Sequence, residues 1–406
     1  MVRWLKSFNT VAAGSLTILL TSCTALKAPK TLFITLGASE EYFSDDLEGA
    51  RAFLSTYTEA FQNSNPDISI VYITYPSRQF FNQIAKDTKL DLGPDLMITN
   101  QYEAQGLLSR NLTLSLENQQ YFDSIYNTRI QSIATANGAY RFAPWLIDTQ
   151  IACFDNTKIK TSPSTIEELE TLSASGIKIG LASNPYELLW SAGSLGAISE
   201  LSSLGTGSTS DQPFPGIEKW LKWLEKAALY QNISFHKDTR ELGKKLEDKK
   251  LTWITCWGSQ LKDLKKTMGA SLGVAALPNG ATSKAFPVSN IYSFSLGKDS
   301  SRTQRAMAMK FIKTAVNNIA QRKIQLDDVG LLAANKNVSI PPESSRRLSA
   351  LNISFNEQSE SYAEELTGLE RYGRRNPQFG RALGNLIDGY LNVNEAFQLI
   401  TAPQKK

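Results

Sequence analysis

Short β-branched runs alternate with helical patterns along most of the chain. Thr31–Leu36 and Ile68–Ile73 are typical of strands, and Phe53, Tyr57 and Phe61 recur between them at helical spacing. Further strands are predicted at residues 94–98, 142–154, 177–181, 251–256 and 272–277. Because helical patterns separate these strands, we predict an α/β fold with a mainly parallel sheet covered by helices on both faces.

Size and charge narrow the classes of function. The chain has 406 residues, enough to bury a large core without disulfide staples. Its 43 basic and 39 acidic residues give a formal net charge of +4, which argues against a dedicated nucleic-acid binder. His236 is the single histidine, so any catalytic or metal site that needs two histidines is excluded.

The N-terminus has the pattern of an export signal. Arg3 and Lys6 precede an apolar run at residues 11–20, which is too short to span a membrane. We therefore predict a signal peptide over residues 1–22, with a buried N-terminal helix as the alternative.

One of the three cysteines is a predicted site of lipid attachment, and the sequence does not decide whether the other two are bonded to each other. Leu20-Thr-Ser-Cys23 resembles the bacterial lipobox, in which the cysteine receives an acyl anchor such as palmitate. A lipidated tether over residues 23–30 would hold the protein at a bacterial membrane, in the periplasm or cell envelope. Cys153 and Cys256 remain, and either a disulfide or two separate buried thiols fits the sequence.

Five segments occur in a characteristic order along the chain: Gly93–Asn100, Tyr140–Asp148, Leu251–Gly258, Phe286–Leu296 and Arg374–Ala396. In that order they resemble the carbohydrate-type extracellular solute-binding proteins that feed ABC importers. One departure is Cys153-Phe-Asp-Asn156, where the family usually has a run ending in Tyr-Asn-Lys.

The resemblance implies a two-lobed periplasmic-binding-protein fold of type II, with the ligand in the cleft between the lobes. Lobe one would comprise residues 31–147 and 285–337, and lobe two residues 148–284 and 338–406. The implied protein is a monomer that closes around a solute and delivers it to the permease subunits. It would use no cofactor or metal, bind no nucleic acid and catalyse no reaction. Loss of Arg3 and Lys6 would leave it nearly neutral, as suits a receptor for uncharged solutes.

A sugar offers hydroxyls and an apolar C–H face, so its site needs polar side chains and aromatic rings. Matching the family's cleft segments gives these candidate ligand-binding residues: Glu40, Asn100, Gln101, Tyr102, Trp145, Asp148, Tyr186, Glu187, Trp190, Trp257, Gly258, Asn290 and Tyr292. Trp145 and Trp190 could instead pack in the interior, and Glu40 and Asp148 could be caps or solvated charges.

Two other functions stay open on the sequence. A related receptor could bind a polyamine or iron rather than a sugar. An exported carbohydrate-active enzyme needs only two carboxylates, which sequence alone does not exclude. Ser175–Lys178 and Ser234–Lys237 fit Ser-x-x-Lys, but the motifs that accompany it in penicillin-recognising enzymes are missing.

Overall fold

The protein is described by a computed structural model covering residues 30–36, 57–76, 79–207, 213–326, 330–338, 341, 345–356 and 361–402. The strands are β1 (Lys30–Leu36), β2 (Ile68–Ile73), β3 (Leu96–Asn100), β4 (Thr113–Leu114), β5 (Thr135–Ala136), β6 (Ala139–Tyr140), β7 (Ala143–Asp155), β8 (Ile179–Ala182), β9 (Ile233–His236), β10 (Trp253–Trp257), β11 (Leu272–Ala275), β12 (Ser289–Gly297) and β13 (Leu332–Ala333).

Helices surround these strands along the described chain. They are α1 (57–63), α2 (Phe80–Thr88), α3 (Gln101–Ser109), α4 (Gln119–Ile125), α5 (Thr128–Ala134), α6 (Ile166–Ala174), α7 (Leu189–Ser194), α8 (Ile198–Thr206), α9 (Pro215–Leu229), α10 (Thr239–Glu247), α11 (Leu261–Met268), α12 (Arg302–Ala315), α13 (Asn318–Leu326), α14 (Arg346–Asn356), α15 (Tyr362–Arg375), α16 (Phe379–Ile387) and α17 (Val393–Thr401).

The strands form a long mixed sheet in the order β2-β1-β3-β12-β7-β10-β8-β9. At one end β1 pairs in parallel with β2 and β3, and at the other β8 pairs in parallel with β9 and β10. Parallel pairing is confined to these two ends, so the sheet is mixed rather than mainly parallel as the alternating pattern predicts. The middle strands β12 and β7 pair antiparallel with each other and with their outer neighbours β3 and β10.

Strand β7 connects the two ends of the sheet. Its first half, Ala143–Thr149, pairs with β12 and β13. Its second half, Gln150–Asp155, pairs with β10 and β11. All thirteen residues of β7 are buried. A strand buried on both faces shows no polar alternation, and β7 accordingly consists of two apolar runs on either side of Asp148–Gln150.

Local sequence signals fix several helix starts. The Ser164–Glu168 pattern predicts one, and Thr165 caps α6 by accepting the backbone N–H of Glu168 at 3.1 Å. The Glu168 carboxylate in turn accepts the backbone N–H of Ser164 at 2.7 Å. These bonds satisfy backbone donors that the first helical turn would otherwise leave open.

The C-terminal helices pack on the β8–β10 end of the molecule. Helix α15 crosses α8 so closely that a Cβ at Gly205 would overlap the carbonyl oxygen of Gly368. Arg129 of α5 also contacts the C-terminal helices. Its guanidinium donates to the carbonyl oxygen of Phe355 and lies 5.5 Å from the ring centroid of Tyr362.

The cysteine pair that the sequence left open is bonded. Cys153 on β7 and Cys256 on β10 form a disulfide with an S–S distance of 2.01 Å, between residues 103 positions apart. Both side chains are fully buried. The predicted signal peptide and Cys23 lie outside the described residues. Within the described ranges, no helix is both long enough and apolar enough to cross a bilayer.

Candidate functional site

A cavity of about 1020 Å³ opens where the two ends of the sheet face each other. One wall comes from the end of β3, from α3 and from the β5–β6 hairpin. The opposite wall comes from residues 184–187, from Trp257 at the end of β10 and from one face of α15. Val288 and Asn290, at the start of β12, lie between the walls. Both lobes of the predicted fold thus contribute to one concave site.

Six of the sequence-predicted ligand residues line this cavity: Asn100, Tyr102, Tyr186, Glu187, Trp257 and Asn290. They supply three aromatic rings, two amides and one carboxylate. An apolar surface with a few converging polar groups is the usual make-up of a small-molecule site.

Tyr186 is the well-exposed ring of this set, with 47% of its surface open. Its hydroxyl lies against the Cα of Gly373 on α15, where a Cβ would come within 2.7 Å of the oxygen. A side chain at position 373 would therefore displace the ring. Burial raises the pKa of Tyr186, Glu370 raises it further and Arg374 lowers it, so the phenol is neutral at physiological pH.

Trp257 and Glu187 are held together in the same wall. The indole Nε1 of Trp257 donates to Glu187 Oε1 at 3.2 Å, and the Thr239 hydroxyl reaches that oxygen at 3.5 Å. Trp257 is only 3% exposed, so it presents a narrow edge to the cavity. The carboxylate thus orients the indole and is itself positioned by it.

The two amides lie at strand ends, where backbone geometry fixes them. Asn100 ends β3 and caps α3, since its Oδ1 accepts the backbone N–H of Glu103 at 2.9 Å and the Glu103 carboxylate accepts that of Asn100. Asn290 pairs with Asp148 across the β12–β7 ladder. Their positions are therefore set by the sheet and by a capping box.

Six other predicted residues do not line the cavity. Trp145 packs between Tyr57 and Phe294, with ring centroids 5.6 and 5.1 Å away, and Trp190 packs edge-on against Trp223 at 6.0 Å. Both indoles are buried, at 3% and 0% exposure. The alternative of interior packing thus describes both tryptophans.

Gln101 and Tyr292 are buried next to the wall formed by β3 and α3. Gln101 donates to the carbonyl oxygen of Ser289 at 3.1 Å and accepts the backbone N–H of Ile291 at 3.2 Å, which ties α3 to β12. Tyr292 is buried, and burial raises its pKa well above the ordinary value.

Asp148 and Gly258 form a buried contact beside β7. Asp148 Oδ1 accepts the backbone N–H of Ser259 at 3.0 Å. A Cβ at Gly258 would overlap the carbonyl oxygen of Gly330, so only glycine fits there. Burial raises the pKa of Asp148 to about 7, although its hydrogen bonds to Ser259 and Gly258 oppose the rise. The last predicted residue, Glu40, lies outside the described residues.

Helix α15 supplies lining residues that sequence reasoning missed: Thr367, Glu370, Arg371 and Arg374. The signal was present, because Tyr362, Leu366, Leu369 and Tyr372 are spaced three or four apart and are all buried. That pattern predicts an amphipathic helix, although not what its other face meets. Arg110 and Arg141, on the opposite wall, were missed as well.

A metal site needs several ligating side chains close together. Over the described ranges, no group of three His, Cys, Asp or Glu side chains is placed to hold a metal ion. Glu370 in the cavity wall lies beside arginines instead: burial raises the pKa of its carboxyl to about 7, and Arg374 and Arg371 oppose that rise.

Several solved structures share this fold. The GacH receptor of Streptomyces glaucescens, solved unliganded and with acarbose, has a TM-score of 0.73 and 15% identity, over 92% of this chain and 97% of that one. An ABC transporter solute-binding protein from Thermotoga lettingae, bound with α-D-tagatose, has a TM-score of 0.68 and 12% identity, over 92% and 98%. An extracellular solute-binding protein from Staphylococcus aureus, in complex with maltose, has 0.64 and 14%, over 92% and 97%.

These matches confirm the predicted two-lobed α/β fold. No curated protein matches the sequence. Residues 56–348, well over half of the chain, match the family described as bacterial extracellular solute-binding protein. The chain therefore belongs to the bacterial extracellular solute-binding proteins.

Proposed function

We propose that this protein is the substrate-binding lipoprotein of an ABC importer, which captures a sugar or sugar-like solute and delivers it to the permease. The observation that carries the proposal is the cavity, where Tyr102, Tyr186 and Trp257 stand beside Asn100 and Asn290. Rings can cover the C–H face of a sugar while amides bond its hydroxyls. The solved relatives named above were crystallised with acarbose, tagatose and maltose, which supports the same ligand class.

Binding would close two lobes around the solute. We propose lobe one as residues 31–147 with 285–337, and lobe two as residues 148–284 with 338–406. The change of pairing partners within β7, between Thr149 and Gln150, supports a boundary there. The closed form would be the one that the permease recognises, and the protein would act as a monomer without catalysing a reaction.

Lipid anchoring at Cys23 would keep the receptor beside its permease. The export signal and lipobox pattern of the first 23 residues support this part of the proposal. The match to a family of extracellular proteins supports it as well. The anchored protein would face the periplasm or the outside of the cell envelope.

The charge of the cavity argues against a polyamine receptor. Among its described lining residues, arginines outnumber glutamates by four to two. A polycation would meet repulsion there rather than the acidic lining that such ligands need. The iron alternative needs a cluster of ligating side chains, and the described residues hold no group of three His, Cys, Asp or Glu side chains placed for a metal ion.

A thermal-shift panel on the protein from residue 24 onward tests the proposal. A ligand that binds only the folded state raises the melting temperature by mass action. The panel holds neutral and charged mono- and disaccharides, glucosylated polyols, polyamines and ferric iron. We expect at least one sugar to raise the melting temperature. A rise with polyamine or iron and with no sugar would overturn the proposal.

A further inference from the structure

The cavity carries more positive charge than the rest of the chain. Its described lining includes Arg110, Arg141, Arg371 and Arg374, but only the acids Glu187 and Glu370. Over the whole sequence the basic and acidic residues nearly balance, at 43 and 39. The excess is therefore local to the site, and a cleft lined by one sign of charge raises the local concentration of the opposite sign.

Two of the arginines are held by their own wall. Arg141 donates to the Ser115 hydroxyl at 2.7 Å and to the carbonyl oxygen of Ala136 at 3.2 Å. The Arg110 guanidinium lies 4.4 Å from the ring centroid of Phe81 and donates to the carbonyl oxygen of Gly106. These contacts satisfy part of each guanidinium and leave the charges uncompensated, because none of the partners is an acid.

The other two arginines face the cavity from α15. Arg371 and Arg374 lie one turn apart on the same helix, and both are exposed. Within the part of the chain that the structure describes, neither forms an ion pair within 4.0 Å. Each therefore presents a planar donor group to whatever occupies the space between the walls.

The two acids of the cavity offset only part of the charge of its four arginines. Glu187 lines the cavity and accepts hydrogen bonds from the Trp257 indole and the Thr239 hydroxyl. Glu370 lies beside Arg374, yet burial raises the pKa of its carboxyl to about 7. It is therefore partly protonated at neutral pH, so that its negative charge is reduced where the arginines converge.

We propose that the solute is an anionic sugar, one that carries a carboxylate or a phosphate group. The inference rests on the proposed function and deepens it: the exposed Tyr186 ring covers the sugar beside the edge of Trp257, while Arg371 and Arg374 receive the anion. Guanidinium groups bind both kinds of anion through paired N–H donors. The near-neutral charge of the chain suggested an uncharged solute, but the charge of the cavity itself is the relevant quantity.

Calorimetric titration of the purified protein tests the proposal with four probes. Maltose is the neutral sugar, a glucuronic-acid disaccharide carries the carboxylate, glucose 6-phosphate carries the phosphate, and inorganic phosphate is an anion without a sugar. We expect one of the two anionic sugars to bind at least tenfold more tightly than maltose, and to weaken as the salt concentration rises. Comparing the affinities of the carboxylate sugar and the phosphate sugar shows which anion the site binds.

Arginine variants place the anion within the cavity. Arg371→Gln and Arg374→Gln should each weaken the anionic sugar by about tenfold, and weaken it more than they weaken maltose. Arg322→Gln, an exposed arginine on α13 outside the cavity lining, is the matched control and should bind as the wild type does. Melting temperatures show that each variant is folded.

Two outcomes overturn the inference while the proposed function stands. One is maltose binding as tightly as either anionic sugar, with no effect of salt or of the arginine variants. The other is inorganic phosphate binding as tightly as glucose 6-phosphate, which would show that the sugar ring contributes nothing to the anionic ligand. If no sugar of any charge binds here or in the thermal-shift panel, the proposed function itself fails.

Discussion

The residues that line the cavity differ in how much of their surface is exposed to a ligand. Tyr186 is 47% exposed, whereas Trp257 is 3% exposed and fixed by Glu187. Tyr186 is therefore the residue whose removal changes binding with the smallest effect on packing. Trp257 couples the binding surface to the stability of its wall.

Tyr186→Ala should weaken ligand binding by about fivefold, since the contact of an aromatic ring with an apolar face contributes about 1 kcal/mol. The melting temperature without ligand should change little. Tyr390→Ala is the matched control, because Tyr390 is 79% exposed and lies outside the cavity lining. Titration of the sugar identified by the thermal-shift panel measures both variants. Equal affinities would show that Tyr186 does not contact the ligand.

Asp148 should make stability depend on pH. Burial raises the pKa of the folded carboxyl to about 7, above that of an unfolded aspartate. The folded state therefore holds a proton that the unfolded state releases, so this stabilisation is present at low pH and is lost as the pH rises through about 7.

Asp148→Asn keeps an Oδ1 acceptor for the backbone N–H of Ser259 and removes the titration. Relative to this variant, the wild type should lose roughly 2 kcal/mol of unfolding free energy between about pH 5 and about pH 8. Urea titrations at each pH measure the difference. A difference that stays constant across this range would contradict the assignment of the proton to Asp148.

Sequence reasoning at this scale identified residue types better than their surroundings. Tyr186 and Trp257 were found because a sugar site needs rings, yet Trp145 and Trp190 satisfied the same criterion and lie in the interior. The difference depends on which face of a strand or helix meets the opposite end of the sheet. That is a tertiary property that local sequence does not encode.

At the scale of elements, the contact between α8 and α15 depends on glycines, which have no side chain. Gly205→Ala would drive a Cβ into the carbonyl oxygen of Gly368 and should cost about 1–3 kcal/mol. Gly384→Ala on α16 is the matched control. A Cβ there meets nothing within 4 Å, and alanine should stabilise the helix by roughly 0.5–1 kcal/mol. Urea denaturation of both variants should give opposite signs, and a stabilised Gly205→Ala would disprove the close crossing.

The disulfide joins β7 to β10 across 103 residues. Replacing Cys153 and Cys256 by alanine together should lower the unfolding free energy by about 2–5 kcal/mol, because the unfolded chain gains freedom. Guanidinium unfolding with and without reductant measures this loss. Reduction should destabilise the wild type and leave the double variant unchanged, and a reductant effect on both would point to another cause.

Elements with strong local patterns were predictable. The strand at Ile68–Ile73 has the bounds that its β-branched run predicts, and β7 begins and ends one residue later than the predicted strand at 142–154. Strand β9 was missed, because Ile233–His236 is short and is followed directly by charged residues. Helix α15 was missed as a cavity wall, because its register against the cleft depends on packing between Gly368 and Ser202.

At the scale of the whole molecule, the alternation of strands and helices predicted the α/β class, and the resemblance carried by five ordered segments implied the two lobes. The lobe boundaries stay a prediction. Strand β7 changes partners between Thr149 and Gln150, and Arg129 bonds the Phe355 carbonyl across the other side. A ligand between the two walls would therefore contact residues on both sides of this change of partners.

The central claim is that the solute is held between two lobes that close on it. Small-angle X-ray scattering of the protein, with and without the sugar identified by the thermal-shift panel, tests that claim directly. We predict a smaller radius of gyration at saturating sugar and a return to the starting value when the sugar is removed. A saturated protein whose radius of gyration stays unchanged would contradict the account.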